Sequence, residues 1–207
     1  MWVVKLGGGL ARSLHLKSWV ETLSRYGRGR VVIVPGGGPF ADGVRASQKK
    51  FQFDDSTAHR MALLAMEQYG VMLCGMAHNL RPVSIDVDFK KVIDQNDVPV
   101  WMASALAHGD KSIPTSWDVT SDSLAAWLAS RLGAQALILV KHIGPRAQMP
   151  TIAELTSSNV IDAAFEDFAD LVKYKVRILA TWRVEKVFFF PKRMKIRCFF
   201  IRYLNLN

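Results

Sequence analysis

The sequence predicts an α/β fold, a three-layer αβα sandwich around a largely parallel central sheet. Three observations carry that prediction. Short apolar runs rich in β-branched residues alternate with longer stretches whose apolar residues recur every three to four positions. The short runs are apolar throughout instead of alternating in and out, which implies strands covered on both faces. Half of the 207 residues are hydrophobic and 22% are charged, enough for a buried core of ordinary size and against disorder.

Taken in order, Trp2–Leu6 reads as a buried strand, 14–26 as a helix and 30–34, with Val-Val-Ile-Val at its centre, as a second buried strand. Helical patterns follow over 40–50 and 57–77, the latter with Met61, Leu64, Ala65, Gln68 and Met72 at three-to-four spacing. Runs 98–102 and 136–140 are again short and apolar, with a helix over 122–132 between them. A helix over 160–171 and a strand over 176–179 complete the pattern, so one domain is expected over 1–182. In parallel sheets ligands sit beyond the carboxyl ends of strands, which directs attention to the segments after Leu6, Val34 and Val140.

The formal charge of +9 is unevenly placed. Residues 183–207 hold seven basic residues and one acid, so this basic aromatic tail carries +6 and the body only +3. A nucleic-acid partner is therefore not expected, except through the tail. There Phe188, Phe189, Phe190, Phe199, Phe200 and Tyr203 lie among the basic residues. An RNA- or membrane-touching extension, a strand pair and an aberrant extension remain open readings of it. No stretch approaches the roughly 18 apolar residues of a membrane helix, since 61–77 is broken by Glu67 and Gln68. The N-terminus lacks the basic segment of a signal peptide, and Cys74 and Cys198 suggest neither a bridge nor a metal site, so a reducing cytoplasm is expected.

Lys5-Leu6-Gly7-Gly8-Gly9 ends the first strand with a lysine and three glycines, and Pro35-Gly36-Gly37-Gly38-Pro39 follows the second in the same way. Residues without Cβ let backbone N–H groups converge on an anion, and the following helix adds its positive end. One such loop is as readily a tight turn. Two at one sheet edge suit two phosphates, or a phosphoryl group passed between two ligands. The run Thr115-Ser116-Trp117-Asp118-Val119-Thr120-Ser121-Asp122-Ser123 opens a helix, with Ser121 as its N-cap and Asp122 in its first turn.

The order Lys-x-Gly-Gly-Gly, Pro-Gly-Gly-Gly, Thr-Ser-Asp-Ser-x-Ala-Ala and then a lysine closing a buried strand resembles the amino-acid kinase superfamily, which includes acetylglutamate, uridylate, carbamate and isopentenyl phosphate kinases. Within it, Val34-Pro35-Gly36-Gly37-Gly38-Pro39-Phe40-Ala41-Asp42, Ala58-His59-Arg60-Met61-Ala62 and Ser116-Trp117-Asp118-Val119-Thr120-Ser121-Asp122 are most similar to one branch. That branch is the aminomethylfuranmethyl phosphate kinases of methanofuran and methylofuran biosynthesis in one-carbon metabolism, which make a diphosphate from a phosphate.

The resemblance implies an ATP-dependent phosphotransferase with Mg²⁺ held mainly by the nucleotide, a small phosphorylated substrate and a homo-oligomer. It implies that Lys5 contacts the transferring phosphoryl oxygens, that Gly7, Gly8 and Gly9 with Ser121 hold donor phosphates, and that Asp122 orients the lysines. Lys141 would lie over the donor phosphates, and Gly36, Gly37 and Gly38 would face the acceptor. An acceptor phosphate needs no general base, in keeping with the lack of an obvious His–acid pair. Isopentenyl phosphate kinases carry a histidine near the second glycine loop, where this sequence has Pro39-Phe40-Ala41-Asp42, which argues against an isoprenoid acceptor. Asp42 suits a substrate ammonium or a helix-start acid, and His59 a substrate contact or a structural role. After Lys141 the chain reads His142-Ile143-Gly144-Pro145-Arg146, without the Asp-Gly loop that packs on adenine in many members. The competing readings are a non-catalytic kinase-fold module that binds nucleotide or anion, and a kinase for another phosphate or a carboxylate.

Overall fold

The computed structural model describes residues 1–144, 151–170 and 174–187. Its six strands are β1 (Trp2–Leu6), β2 (Val31–Pro35), β3 (Leu80–Val83), β4 (Val98–Trp101), β5 (Ala136–Lys141) and β6 (Lys175–Ala180). They form one sheet in the order β3-β4-β2-β1-β5-β6, with every pairing parallel. The helices are α1 (Leu16–Tyr26), α2 (Gly38–Phe51), α3 (Asp55–Met76), α4 (Asp86–Asp94), α5 (Ser104–Ala107), α6 (Ser121–Arg131), α7 (Ile152–Ser157) and α8 (Phe165–Asp170).

The sheet is covered on both faces, as the uninterrupted apolar runs require. Val3, Val32, Leu137 and Leu139 share one core with Leu124 and Leu128 of α6, Phe89 of α4 and Phe165 of α8. Val4, Leu6, Ile33 and Val140 share the other with Trp19 and Leu23 of α1 and Tyr69 and Leu73 of α3. Alternate residues of each strand thus serve opposite layers. Fully buried Trp19 donates its indole N–H to the Thr181 carbonyl at 2.6 Å, and Val187 is buried in the same layer as α1. Residues up to 187 therefore pack on the body, while the rest of the tail lies outside the described residues, as does Cys198.

Several expected boundaries shift. The helix expected over 14–26 starts at Leu16, because Gly8–Arg12 forms a 3₁₀ turn and Leu14 is 98% exposed. The helix expected over 160–171 is represented by α8 alone, since Ile161 and Asp162 turn back toward α6. Strand β3 and helices α4, α5 and α7 are additions to the expected pattern. Among the described residues no helix is long and apolar enough to cross a membrane.

Candidate functional site

Strand parity brings the two lysines together. In β1, Lys5 has the parity of Val3 and so faces the α6 layer. Leu139 of β5 lies opposite Lys5, which places Lys141 on the same face about 6–7 Å farther along the neighbouring strand. Above them α6 delivers Asp122 from its first turn. Lys5 Nζ donates to Asp122 Oδ1 at 2.6 Å and Lys141 Nζ to Asp122 Oδ2 at 2.5 Å, one carboxylate oxygen for each ammonium.

This triad is nearly dry, with the side chains of Lys5 and Asp122 3% and 2% exposed and that of Lys141 15%. Burial pushes the Lys5 ammonium down to about 8, with the like charge of Lys141 adding to it and the Asp122 attraction opposing it. For Asp122, burial acts to raise the carboxyl, but the two ammonium groups and their hydrogen bonds prevail and hold it below the usual carboxylate range.

A second carboxylate holds the helix that carries Asp122. The N-cap position of α6 belongs to Thr120, not Ser121, which is the first helical residue. The cap is supplied from 40 residues downstream: Asp162 accepts from Thr120 N at 2.9 Å, Thr120 Oγ1 at 2.7 Å and Ser123 N at 3.0 Å, and from the Ser123 hydroxyl. Freed from capping, Asp122 turns toward the sheet.

The triad opens into a cavity of about 360 Å³ bounded by Lys5, Lys141 and Ser121, by Gly8, Gly9, Gly37 and Gly38, and by Arg12, Asp42, Arg45, Asp55, His59 and Trp117. Of the six loop glycines expected at phosphates, Gly7 and Gly36 do not line it. Their N–H groups donate to Val140 O and Leu6 O at 3.0 and 2.9 Å, stitching the loops to the sheet.

The two loops also interlock. A Cβ on Gly8 would lie 2.7 Å from Gly38 N, and Gly38 itself has φ +55°. The absence of a side chain at residue 8 is thus required by packing before any ligand arrives. Gly9 is different: its Cβ would meet only the Cβ of His142, at an ordinary 3.6 Å. Gly8→Val is therefore expected to destabilise the protein by about 1–3 kcal/mol through overpacking. Gly9→Ala should leave the melting temperature within about 1 °C and weaken the binding of an anionic ligand, because only the approach of a ligand to that backbone is obstructed. Thermal melts with phosphate-ligand titrations check both, and unchanged binding in Gly9→Ala would show that no anion meets that amide.

Asp42 lines the cavity but already has cations, Arg12 at 2.8 Å and Arg45 at 3.7 Å. Asp42 thus reaches the cavity, as expected of a substrate-contacting residue, with two guanidinium groups already beside its half-exposed carboxylate. Arg45 also stacks over Trp117, 4.2 Å from the ring centre. His59 is 7% exposed, and its Nε2 is buried without a hydrogen-bond partner. Burial holds its pKa below the ordinary histidine value, with His108 adding to the shift.

Arg12, Arg45, Asp55 and Asp162 escape the sequence reading, and Trp117 enters it only as part of a motif string. Asp55 and His59 are four residues apart on one helix, a spacing that signals a shared face. Asp162 sends no local signal at all.

Comparison with known proteins agrees with this architecture. A sequence profile described as the amino acid kinase family matches residues 1–144. The [5-(aminomethyl)furan-3-yl]methyl phosphate kinase of Methanocaldococcus jannaschii is 26% identical over 146 residues, 69% of this chain and 66% of that protein. The chain thus spans just under two thirds of the length of this relative. The fold is similar to that of the Archaeoglobus fulgidus uridylate kinase, with TM-score 0.64 and 15% identity over 89% of this chain and 95% of that one. It is also similar to the Bacillus anthracis UMP kinase, with TM-score 0.65 and 16% identity over 87% and 86%.

Proposed function

Because the chain belongs to the amino acid kinase family, we propose that it is a phosphotransferase that moves the γ-phosphoryl group of ATP onto a small acceptor already bearing a phosphate. The observation that carries this reading is the Lys5–Asp122–Lys141 triad at the floor of a cavity rimmed by two glycine loops. A module that only bound an anion would need neither a second lysine nor a carboxylate dividing itself between two.

Each residue type suits a step of phosphoryl transfer, in which catalysis is alignment plus neutralisation of charge. Lys5 stabilises the equatorial oxygens of the group in flight, and Lys141 the donor phosphates it leaves. Asp122 holds both ammonium groups in place without bonding substrate. Gly8 and Gly9 with Ser121 suit the donor phosphates. Gly37 and Gly38, at the N-terminal end of the fourteen-residue α2, favour an anionic acceptor, and Arg12 and Arg45 at the rim extend that preference.

Among the described residues no group of three or more His, Cys, Asp or Glu side chains could hold a metal ion. In this reading Mg²⁺ is carried by the nucleotide phosphates, whose charge it offsets. The loop that would border adenine runs into residues 145–150, outside the described residues.

The relative from M. jannaschii is named for an aminomethylfuran-methyl phosphate, and the same acceptor, converted to its diphosphate for a methylofuran-type cofactor, is the substrate proposed here. Incubation with ATP, Mg²⁺ and a panel of phosphorylated and carboxylated acceptors, followed by ADP release and product mass, tests the reading. Acceptor-dependent ADP release with a phosphorylated amine is the expected result, and a preference for carboxylates would sink the phosphate-acceptor claim.

The pH dependence has a defined sign. Lys5 must keep its proton to act, and with its pKa at about 8 the kcat/KM of the free enzyme should fall as pH rises above about 8. Bound phosphates favour the ammonium, so the corresponding limb in kcat should lie higher. Stability moves oppositely: between about 8 and the ordinary lysine value the unfolded chain keeps a proton that the folded chain has lost, so this residue's contribution rises with pH in that window and is lost as pH falls through 8. Parallel pH series of kcat/KM and of urea midpoints check the two signs. A pH-independent kcat/KM up to pH 10 would contradict the assignment.

A further inference from the structure

We propose that Asp162 is a positioning residue for the phosphoryl transfer: from outside the cavity it locks the first turn of α6 and so sets the Asp122 carboxylate against the two lysines. This rests on the kinase reading above and adds to it a residue beyond 1–144, the span that the family profile matches.

The first turn of α6 is not held by its own sequence. Thr120 is the N-cap, but its side chain caps nothing, and its hydroxyl donates instead to Asp162 Oδ2 at 2.7 Å. The same oxygen accepts from Thr120 N and Ser123 N, at 2.9 and 3.0 Å, and Oδ1 accepts from the fully buried Ser123 hydroxyl. One carboxylate therefore grips the two residues that flank Ser121 and Asp122.

The grip is itself anchored. Ile161 and Phe165, on either side of Asp162 in sequence, are 3% and 0% exposed and share a core with Leu124 and Leu128 of α6. Ala164 N donates to Asp118 O at 3.0 Å, so the turn before α8 is bonded to the segment before α6 as well as to α6 itself. A short side chain between two close-packed neighbours has little freedom, which is what the transmission of a position requires.

A helix cap adds stability wherever it occurs, but this one sits where small displacements matter. Asp122 divides its two oxygens between Lys5 and Lys141, both at short hydrogen-bond length. A misplacement of about 1 Å in such an array can cost about 10²-fold in rate. Asp162 also acts on Lys5 through its charge. Burial is the main influence on that ammonium and lowers its pKa; Asp122 of α6 opposes burial, Lys141 of β5 adds to it, and Asp162 acts on the side of Asp122.

Two variants separate position from charge. Asp162→Asn can keep the cap, with its amide oxygen accepting from Thr120 N, Thr120 Oγ1 and Ser123 N and its amide N–H donating to the Ser123 hydroxyl, which turns to accept. Asp162→Ala loses cap and charge together. With ATP, Mg²⁺ and an aminomethyl-bearing furanylmethyl phosphate, Asp162→Ala should lower kcat at least about tenfold while the KM for ATP stays within about twofold. Asp162→Asn should keep most of the kcat at pH 7 but move the alkaline fall of kcat/KM to lower pH, because Lys5 has lost one of the charges that hold its proton.

Asn79→Ala is the control for plain destabilisation. Asn79 is 1% exposed just before β3, at the amino ends of the strands and so opposite the site, where its Nδ2 donates to Ser24 O at 2.9 Å. This variant should lower the melting temperature and leave kcat unchanged. A cooperatively melting Asp162→Ala protein with the kcat and pH profile of the unaltered one would make Asp162 a cap alone, overturning the proposal with the kinase reading intact. An equal kcat loss in Asn79→Ala overturns it as well. Should Asp162→Ala fail to fold, Asp162→Asn decides, and an unchanged alkaline limb there overturns the proposal. No turnover of the phosphorylated acceptor by the unaltered protein defeats the kinase reading and this one with it.

Discussion

Lys5→Met is expected to lower kcat by at least about 10²-fold, because it deletes a positioned charge in a water-poor site where the transferring phosphoryl group spreads its charge over three oxygens. Stability should change by no more than about 1–2 kcal/mol. Burial already disfavours the Lys5 ammonium, Met fills similar volume, and Lys141 still neutralises Asp122. The separation between a large kinetic and a small thermodynamic effect is the diagnostic, read from steady-state kinetics and a urea melt of one preparation. Near-normal turnover in a folded Lys5→Met protein would remove Lys5 from the mechanism.

Asp122→Asn should be costly on both scales. The carboxylate is 2% exposed in its side chain and has two ammonium partners, and taking one member from a buried ionic group typically costs about 3–5 kcal/mol. Lys5 would lose its main attractive partner while keeping the repulsion from Lys141, so its pKa should fall further and less of it should be charged at a given pH. A kcat loss of at least about 10²-fold is expected at pH 7.5, with partial recovery on lowering the pH as Lys5 regains its proton. A variant whose melting point and rate match those of the unaltered protein would show the triad to be incidental.

The contrast between what could and could not be read from the sequence has a physical basis. The strands of the sheet centre were legible because a parallel strand buried on both faces writes a continuous apolar run, as in Val31–Pro35 and Ala136–Lys141. Strand β3 was not, because Leu80-Arg81-Pro82-Val83 is an edge strand with two exposed residues, which break the continuous apolar run that a strand covered on both faces writes. Helix α7 did carry a signal, the Thr151-x-x-Glu154 capping box, in which Thr151 Oγ1 accepts from Glu154 N and Glu154 Oε2 accepts from Thr151 N.

At the site, lysines at strand ends and glycines after them are visible because each marks a local backbone requirement. The Arg12–Asp42–Arg45 cluster is less visible, since it depends on a 3₁₀ turn folding against a helix 30 residues away. Asp162 is the extreme case. Its neighbours in sequence give no reason for an acid there, and the four hydrogen bonds its carboxylate accepts all come from residues 39–42 positions earlier. Those bonds fix the end of α6 that aims Asp122.

The most direct test of phosphoryl transfer at this site follows the label from [γ-³²P]ATP in the presence of Mg²⁺ and an aminomethyl-bearing furanylmethyl phosphate. The expected result is label in the terminal phosphate of a newly formed diphosphate, one equivalent for each ADP released, and its disappearance in Lys5→Met. Label that appears only in inorganic phosphate, or that stays in ATP with every phosphorylated acceptor supplied, would contradict the proposed function.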